Sequence, residues 1–204
     1  MVTITHITRA WDIDLMSART SPEEPVRLLQ YPILRVVPQG RIGVTIFAFL
    51  TGYVCALKPI KLARAGNPEA ALKNISHSAF RRTPRLVIPA AFATLVAWTL
   101  CQFGAYEVAH RSDSNWLNIA SPIRSTSLYD AAFAFFHAVI GTWTTGHNDY
   151  DDHQWTLLPL LKGAMLVYMT LYSTIYLKAT QRMMVSLALY AYYWAAGDGM
   201  SSPH

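Results

Sequence analysis

Three arginines, Arg81, Arg82 and Arg85, stand directly before the longest uncharged run of this 204-residue chain. Thr83 fits a helix N-cap and Pro84 fits the first helical position, so the pattern predicts a helix that begins there. Guanidinium groups beside a helix N-terminus would bind phosphates or carboxylates. The same arginines could instead anchor the helix to anionic lipid headgroups, and the residues alone favour that simpler interpretation.

A second polar group lies in residues 147–153, His-Asn-Asp-Tyr-Asp-Asp-His. Its two histidines and three aspartates include the nitrogen and oxygen ligands that metal ions take. The spacing matches neither an EF-hand nor the His-Glu pattern of zinc hydrolases, so we predict a solvated acidic loop and no metal site. Cys55 and Cys101 both fall within apolar runs and provide neither a disulfide framework nor a metal motif.

Three tyrosines, Tyr168, Tyr172 and Tyr176, recur every four residues and therefore share one helix face. Their hydroxyl groups could line an acyl or polar cavity. More often such a stripe packs against neighbouring helices, and we expect that arrangement here.

The elements that must position these residues are apolar helices. The chain is 52% hydrophobic and 14% charged, and Leu86–Tyr106 contains no charged residue. At a rise of about 1.5 Å per residue this run spans a hydrocarbon core of about 30 Å. Three further apolar runs of near-spanning length begin at Ile42, near Trp155 and at Met183. We therefore predict an all-α, multi-span transmembrane helical bundle of about four spans; a soluble bundle with a very apolar core is the alternative.

The charge distribution predicts the topology and the domain boundaries. The connection between the first two spans is strongly basic, with Lys58, Lys61, Arg64, Lys73, Arg81, Arg82 and Arg85 against Glu69. The positive-inside rule places this loop on the cytosolic side of a membrane that the sequence does not identify. A crossing by Ala131–Gly146 would put later loops on the wrong sides, so we predict an interfacial or re-entrant helix there. The chain then divides into an N-terminal surface segment (1–41), a membrane domain (42–197) and a flexible tail (198–204).

Several segments, in order and spacing, resemble the acyltransferase-3 family of multi-span membrane acyltransferases, especially its fungal members. Residues 43–54, which include Gly52 and Tyr53, are similar to the family's second helix. The basic connection resembles a family loop in which an Arg-x-x-Arg pair opens the third helix. Arg82 and Arg85 match that pair.

The resemblance continues to about residue 180. Trp155 and Thr156, followed by Lys162, resemble the family's later Trp-Thr segment. The family moves acyl groups, commonly acetyl, from a donor such as acyl-CoA to hydroxyls of sugars, lipids or small metabolites. The resemblance therefore implies a multi-pass integral membrane O-acyltransferase whose partners are the lipid bilayer, acyl-CoA as co-substrate and a hydroxyl-bearing small molecule. It implies no bound cofactor and no nucleic-acid partner, and it assigns the donor's phosphates to the arginine cluster.

Two departures from the family pattern weigh against catalysis by this chain alone. The family's Trp-Thr segment carries a glutamate at the position of Leu160. Nothing before Ile42 matches its first helix, which bears an arginine and a histidine implicated in activating the acceptor, and His6 lies in the wrong context. An acyl transfer needs a base near the attacking oxygen, and none is assigned here.

Two other functions stay open. Family members have more spans than this chain, so missing helices or a partner subunit would have to complete the bundle. The main alternative is a truncated or non-catalytic membrane relative or subunit of such an enzyme. A small transporter fragment is a further alternative, with little support in the sequence.

Overall fold

The computed structural model describes residues 5, 7–8, 11–21, 23, 25–34 and 40–198. Regular structure in this part of the chain is helical throughout, as predicted. The α-helices are α1 Gly40–Arg64, α2 Pro68–Gln102, α3 Glu107–His110, α4 Asn115–Ala120, α5 Leu128–Thr144, α6 Leu157–Thr174 and α7 Ala179–Asp198. Short 3-10 helices cover Ile13–Met16, Leu28–Gln30 and Asp152–Thr156. Residues 199–204 of the predicted tail (198–204) lie outside the described residues, and so does His6.

Three helical segments of the described chain are long and apolar enough to cross a membrane, judged by length and composition: Ile42–Arg64, Pro68–Gln102 and Asp152–Thr174. The fourth predicted span forms α7, which is helical but rich in tyrosine and carries Gln181 and Arg182 in its first turn. The all-α membrane architecture is therefore confirmed, with three candidate spans close to the predicted four.

The chain forms two compact units. The first unit combines Met1–Thr51 with Arg82–Gly163, and the second combines Gly52–Arg81 with Ala164–His204. In the first unit α5 packs on α2, and the indole Nε1 of Trp98 donates a hydrogen bond of 2.8 Å to the carbonyl of Ala131. The core of the second unit is built from one face each of α1, α2 and α6, with Cys55, Ala71, Ile75, Ala164, Tyr168, Leu171 and Ile175 buried.

The prediction of a basic loop between the first two spans is wrong, because α1 and α2 form a helical hairpin with only residues 65–67 between them. Gly66 adopts a φ of +80°, which glycine tolerates, and ends α1. Pro68 then occupies the first position of α2, where its missing N–H costs nothing. Most of the predicted loop is therefore helix.

The predicted helix start at Thr83 and Pro84 is also wrong, since α2 runs through both Pro84 and Pro89. A proline inside a helix costs about 3 kcal/mol relative to alanine in an isolated helix. Here the sixteen residues before Pro84 already form a helix, so the chain does not need a new start. A break inside an apolar segment would expose more backbone groups to lipid than one proline does, which favours continuity.

Within the second unit, α1 and α6 run in the same direction. A Cβ placed on Gly52 would lie 3.9 Å from Cγ2 of Val167, so these positions lie opposite each other. Further along the chain, Arg64 at the end of α1 and Leu177, three residues beyond the end of α6, line one cavity. Two spans can run in parallel only if the chain between them crosses the membrane an odd number of times. With α2 as one crossing, this direction agrees with the prediction that Ala131–Gly146 adds none.

Candidate functional site

The arginine cluster lies well inside the hairpin and not at a helix terminus. Ala79 packs against the core of the second unit, which includes Cys55 from the apolar run of α1. Arg81 is thirteen residues from the start of α2, or about 20 Å along the helix. It therefore stands beside the apolar part of α1. The three arginines directly precede the uncharged run Leu86–Tyr106, so they stand at the end of the apolar part of α2.

The three arginines differ in exposure. Arg81 and Arg85 are four residues apart, share a face of α2 and are exposed, whereas Arg82 is half-buried. Guanidinium groups on a free helix face suit a phosphate-bearing ligand, because each presents several donors in a fixed plane. The predicted anion-binding role of these arginines stays a prediction, and the expected contribution of a helix N-terminus to it is lost, because α2 already begins at Pro68.

The other positions of the family motifs occupy ordinary helical sites. Gly52 allows α1 to approach α6, and Tyr53 beside it is exposed. Trp155 and Thr156 lie at the end of the 3-10 helix before α6, and the Thr156 hydroxyl donates to the carbonyl of His153 at 3.4 Å. Leu160, at the position of the family glutamate, is buried in the first unit with 8% of its surface exposed.

A buried polar cluster in the first unit was not predicted, and Asn148 is its centre. This side chain is 3% exposed, and its Nδ2 lies 2.9 Å from the hydroxyl of Thr94, 2.9 Å from that of Thr142 and 3.3 Å from Oε1 of Gln154. Its Oδ1 accepts the backbone N–H of Tyr150 at 3.0 Å. One asparagine thus joins α2, α5 and the loop that follows α5.

Gln154 completes this cluster. Its Nε2 is within hydrogen-bond distance of the Ala90 carbonyl at 3.2 Å, the Thr94 hydroxyl at 3.1 Å and Oδ2 of Asp151 at 3.1 Å. Ala90 is five residues beyond Arg85, or about 8 Å along α2. The loop therefore lies beside the apolar half of α2, close to its arginine-bearing end.

Two glycines let the loop fold back onto the end of α5. Gly146 adopts a φ of +79°, and its N–H donates to the Gly141 carbonyl at 2.9 Å. A Cβ on Gly141 would stand 2.8 Å from the carbonyl oxygen of His147, closer than real Cβ contacts come. Glycine at 141 is thus required for the close approach of the loop.

The same loop presents a histidine–aspartate pair on its surface. Nε2 of His147 lies 2.9 Å from Oδ1 of Asp149, and Nδ1 of His137 lies 3.9 Å from the other carboxylate oxygen. An ionised carboxylate only accepts hydrogen bonds, so Nε2 of His147 is the donor and Nδ1 is left free as an acceptor. The His147 side chain is 68% exposed, which makes it accessible to a small molecule.

Tyr150 links this pair to the core. Burial raises the pKa of the Tyr150 phenol, and the Cys101 thiol and the Asp149 carboxylate raise it further, while a hydrogen bond with Ser125 lowers it. The phenol therefore stays protonated and neutral at physiological pH. Within the described residues, no three His, Cys, Asp or Glu side chains are placed together to hold a metal ion.

The prediction of a solvated loop at residues 147–153 is thus wrong for Asn148 and Tyr150, which are buried, as is Gln154 directly after the loop. The missed signal was in the partners: Thr94 and Thr142 are uncharged polar residues inside apolar helices. Such residues need a hydrogen-bond partner when buried, and for Thr142 the nearest amide side chain in the sequence is that of Asn148.

We expect Asn148→Ala to lower the free energy of unfolding by about 2–4 kcal/mol, because several buried groups lose their partner at once. The measurement is denaturant-induced unfolding of the chain in detergent micelles. Asn118→Ala is the matched control, since Asn118 is exposed and its hydrogen-bond contacts with His110 are both 3.5 Å long. Equal stabilities of the two variants would contradict a structural role for the cluster.

Comparisons with known proteins agree with this architecture. A family model described as an acyltransferase domain matches residues 1–199. The chain is similar to the O-acetyltransferase PaAT-1 of Phomopsis amygdali, with 28% identity over 193 residues that cover 82% of this chain and 38% of that protein. The chain thus spans well under half the length of this curated relative. No solved structure matches it significantly. Because the family match extends over nearly its whole length, the chain belongs to the acyltransferase-3 family.

Proposed function

We propose that this chain provides the membrane-embedded part of an O-acyltransferase, which transfers an acetyl-type group from acyl-CoA to a hydroxyl of a small molecule. The observation that carries the proposal is an arginine cluster on α2, exposed at Arg81 and Arg85 and directly before the uncharged run of that helix, in a chain of this family. The similarity to an O-acetyltransferase supports the acetyl-type donor. Three candidate spans support a multi-pass arrangement.

In the proposed reaction the arginines hold the donor. Arg81 and Arg85 project from one face of α2, and their guanidinium groups would bind the phosphates of CoA. Binding energy from these remote groups positions the thioester carbonyl, which is the part that reacts.

His147 is the candidate general base that the family pattern did not supply. Its Nδ1 would take the proton of the acceptor hydroxyl while the Asp149 carboxylate holds the ring at 2.9 Å and stabilises the imidazolium. The hydroxyl oxygen forms a bond to the acyl carbon as the C–S bond of the thioester breaks. The leaving CoA sulfur then receives the proton, so that His147 returns to its neutral state.

The arginine role predicts a change in donor affinity. We expect Arg85→Gln to lower kcat/KM for acyl-CoA by about 10- to 100-fold, chiefly through KM, because one charge-assisted hydrogen bond is worth about 1.5–3 kcal/mol. The measurement is donor-dependent acyl transfer in membranes that contain the full chain. Arg111→Gln is the control, since Arg111 is exposed and lies beyond α2. No activity above empty membranes, or equal losses in both variants, would contradict the assignment.

A second function, that of a non-catalytic relative or subunit, is favoured by one observation. Leu160 is buried and apolar at the position where the family has a glutamate. A chain that keeps the packing of the fold but has lost a catalytic carboxylate would show this pattern. The response of this position to substitution separates the two functions.

A further inference from the structure

The second unit contains a large cavity that the proposed acyl transfer does not use. Its volume is about 1100 Å³, and its walls come from the end of α1, the second half of α6 and α7. The lining is mainly aliphatic and aromatic and includes no acidic residue. Of the predicted tyrosine stripe, Tyr176 lines this cavity, whereas Tyr168 is buried in the core and confirms the packing role at that position.

The two charged residues of the lining, Arg64 and Arg182, both lie at helix ends. Arg64 is the last residue of α1, and Arg182 lies in the first turn of α7. Ala56 and Tyr193, which line the same cavity, are eight and eleven residues further into these helices. Those spacings correspond to about 12 and 16 Å. The cavity therefore runs from a cationic mouth into an apolar interior.

The two arginines differ in how they are held. The Arg182 guanidinium donates to the carbonyls of Thr174 at 3.3 Å, Ile175 at 3.1 Å and Leu177 at 3.4 Å, which caps the end of α6 and fixes the charge at the mouth. The Arg64 side chain is exposed and makes no hydrogen bond or ion pair within the part of the chain that the structure describes. One cation is thus fixed and the other is available.

We propose that this cavity binds an anionic phospholipid, with its phosphate at Arg64 and Arg182 and an acyl chain along the apolar wall. Charge complementarity carries the assignment, because two cations and no anion stand at the mouth of an otherwise apolar cavity. Both arginines also lie in the turns that the positive-inside rule places at the cytosolic face, where anionic lipids concentrate. The lining of the cavity includes none of Arg81, Arg82 and Arg85.

The test compares lipids of equal chain length on the purified full chain. We expect phosphatidylglycerol to be retained more strongly than phosphatidylcholine in native mass spectrometry, with a preference of about fivefold or more per engaged arginine. Arg64→Gln should lower that preference about fivefold. Lys178→Gln is the matched control, since Lys178 is an exposed cation in the turn after α6 but does not line the cavity. In this variant the preference for phosphatidylglycerol should change less than twofold.

Two further variants keep the result interpretable. Arg182→Gln removes both the charge at the mouth and the cap at the end of α6. If that variant does not fold, Arg182→Lys takes its place, because lysine keeps the positive charge. Ser186→Trp places a bulky ring in the cavity and should reduce lipid retention without a change of charge.

Three outcomes would overturn the proposal. Equal retention of the two lipids, or equal effects of Arg64→Gln and Lys178→Gln, would show that the mouth does not select an anion. Displacement of bound lipid by long-chain acyl-CoA, lost in Arg64→Gln, would make the cavity a donor site. None of these measurements depends on acyl transfer. The first two outcomes leave the proposed function untouched, whereas the third would move the donor site from the arginines of α2 to this cavity.

Discussion

Replacing His147 by glutamine is expected to lower kcat for acyl transfer by about 100- to 10,000-fold, the range over which a positioned general base contributes. Glutamine keeps a polar side chain of similar reach but cannot take a proton at neutral pH. The surrounding fold should be unaffected, because the His147 side chain is exposed and the buried cluster is centred on Asn148. KM for acyl-CoA should change little, since donor binding is assigned to the arginines.

The chain offers a closely matched control for this substitution. His153 also pairs with an aspartate two residues away, its Nδ1 lying 3.2 Å from Oδ1 of Asp151. That Asp151 carboxylate is already held by Gln154 in the buried cluster. We expect His153→Gln to retain most of the activity. Acyl transfer in membranes, with the amount of folded protein measured for each variant, compares the two.

Asp149→Asn separates catalysis by the pair from catalysis by His147 alone. The amide cannot stabilise the imidazolium that forms during proton transfer, so we expect kcat to fall by at least tenfold while KM for acyl-CoA changes little. An Asp149→Asn variant with unchanged kcat, or a fully active His147→Gln variant, would eliminate this pair as the base.

The helical class and the family could be predicted from the sequence because both rest on long apolar runs and on ordered motifs. Leu86–Tyr106 has no charge, and any helix that contains it is long enough to span. That Ala131–Gly146 makes no net crossing stays a prediction from the placement of charged loops, with which the parallel direction of α1 and α6 is consistent. These features depend on composition over many residues.

The positions of helix ends could not be predicted in the same way. Thr83 and Pro84 form a good local signal for a helix N-terminus. Such a signal sets the start of a helix only where the preceding residues are not already helical, and here they are. The arginines were consequently predicted at the start of a helix but lie in the middle of α2, beside apolar residues. The sequence identified the right side chains and placed them in the wrong structural context.

The buried amide cluster was unpredictable for a different reason. Asn148 and Gln154 are separated by more than fifty residues from Thr94, and the pairing depends on how α5 and its loop return to α2. No local pattern contains that information. The predicted domain boundaries at 41 and 197 are not tested by the fold, because the two compact units are built from discontinuous segments, and they stay a prediction.

Leu160→Glu should separate an active enzyme with an altered site from a non-catalytic relative. Leu160 is buried in the first unit, and an isolated carboxylate placed there has no assured partner. We expect the substitution to lower the free energy of unfolding by about 3–5 kcal/mol, as for other uncompensated buried charges. Lys162→Glu is the control, since Lys162 is exposed on the same helix and already carries a charge.

The two functions predict different responses of the same variant. If the His147–Asp149 pair is the base, a new carboxylate at 160 adds nothing and the variant loses both stability and activity. The alternative is that the chain has lost a catalytic glutamate while the polar surroundings of that glutamate persist. In that case Leu160→Glu would be no less stable than Leu160→Gln, and it would raise the rate of acyl transfer. Unfolding in micelles and acyl transfer in membranes, measured on both variants, distinguish the two. Because Leu160 belongs to the apolar interior and not to a hydrated pocket, we expect the loss.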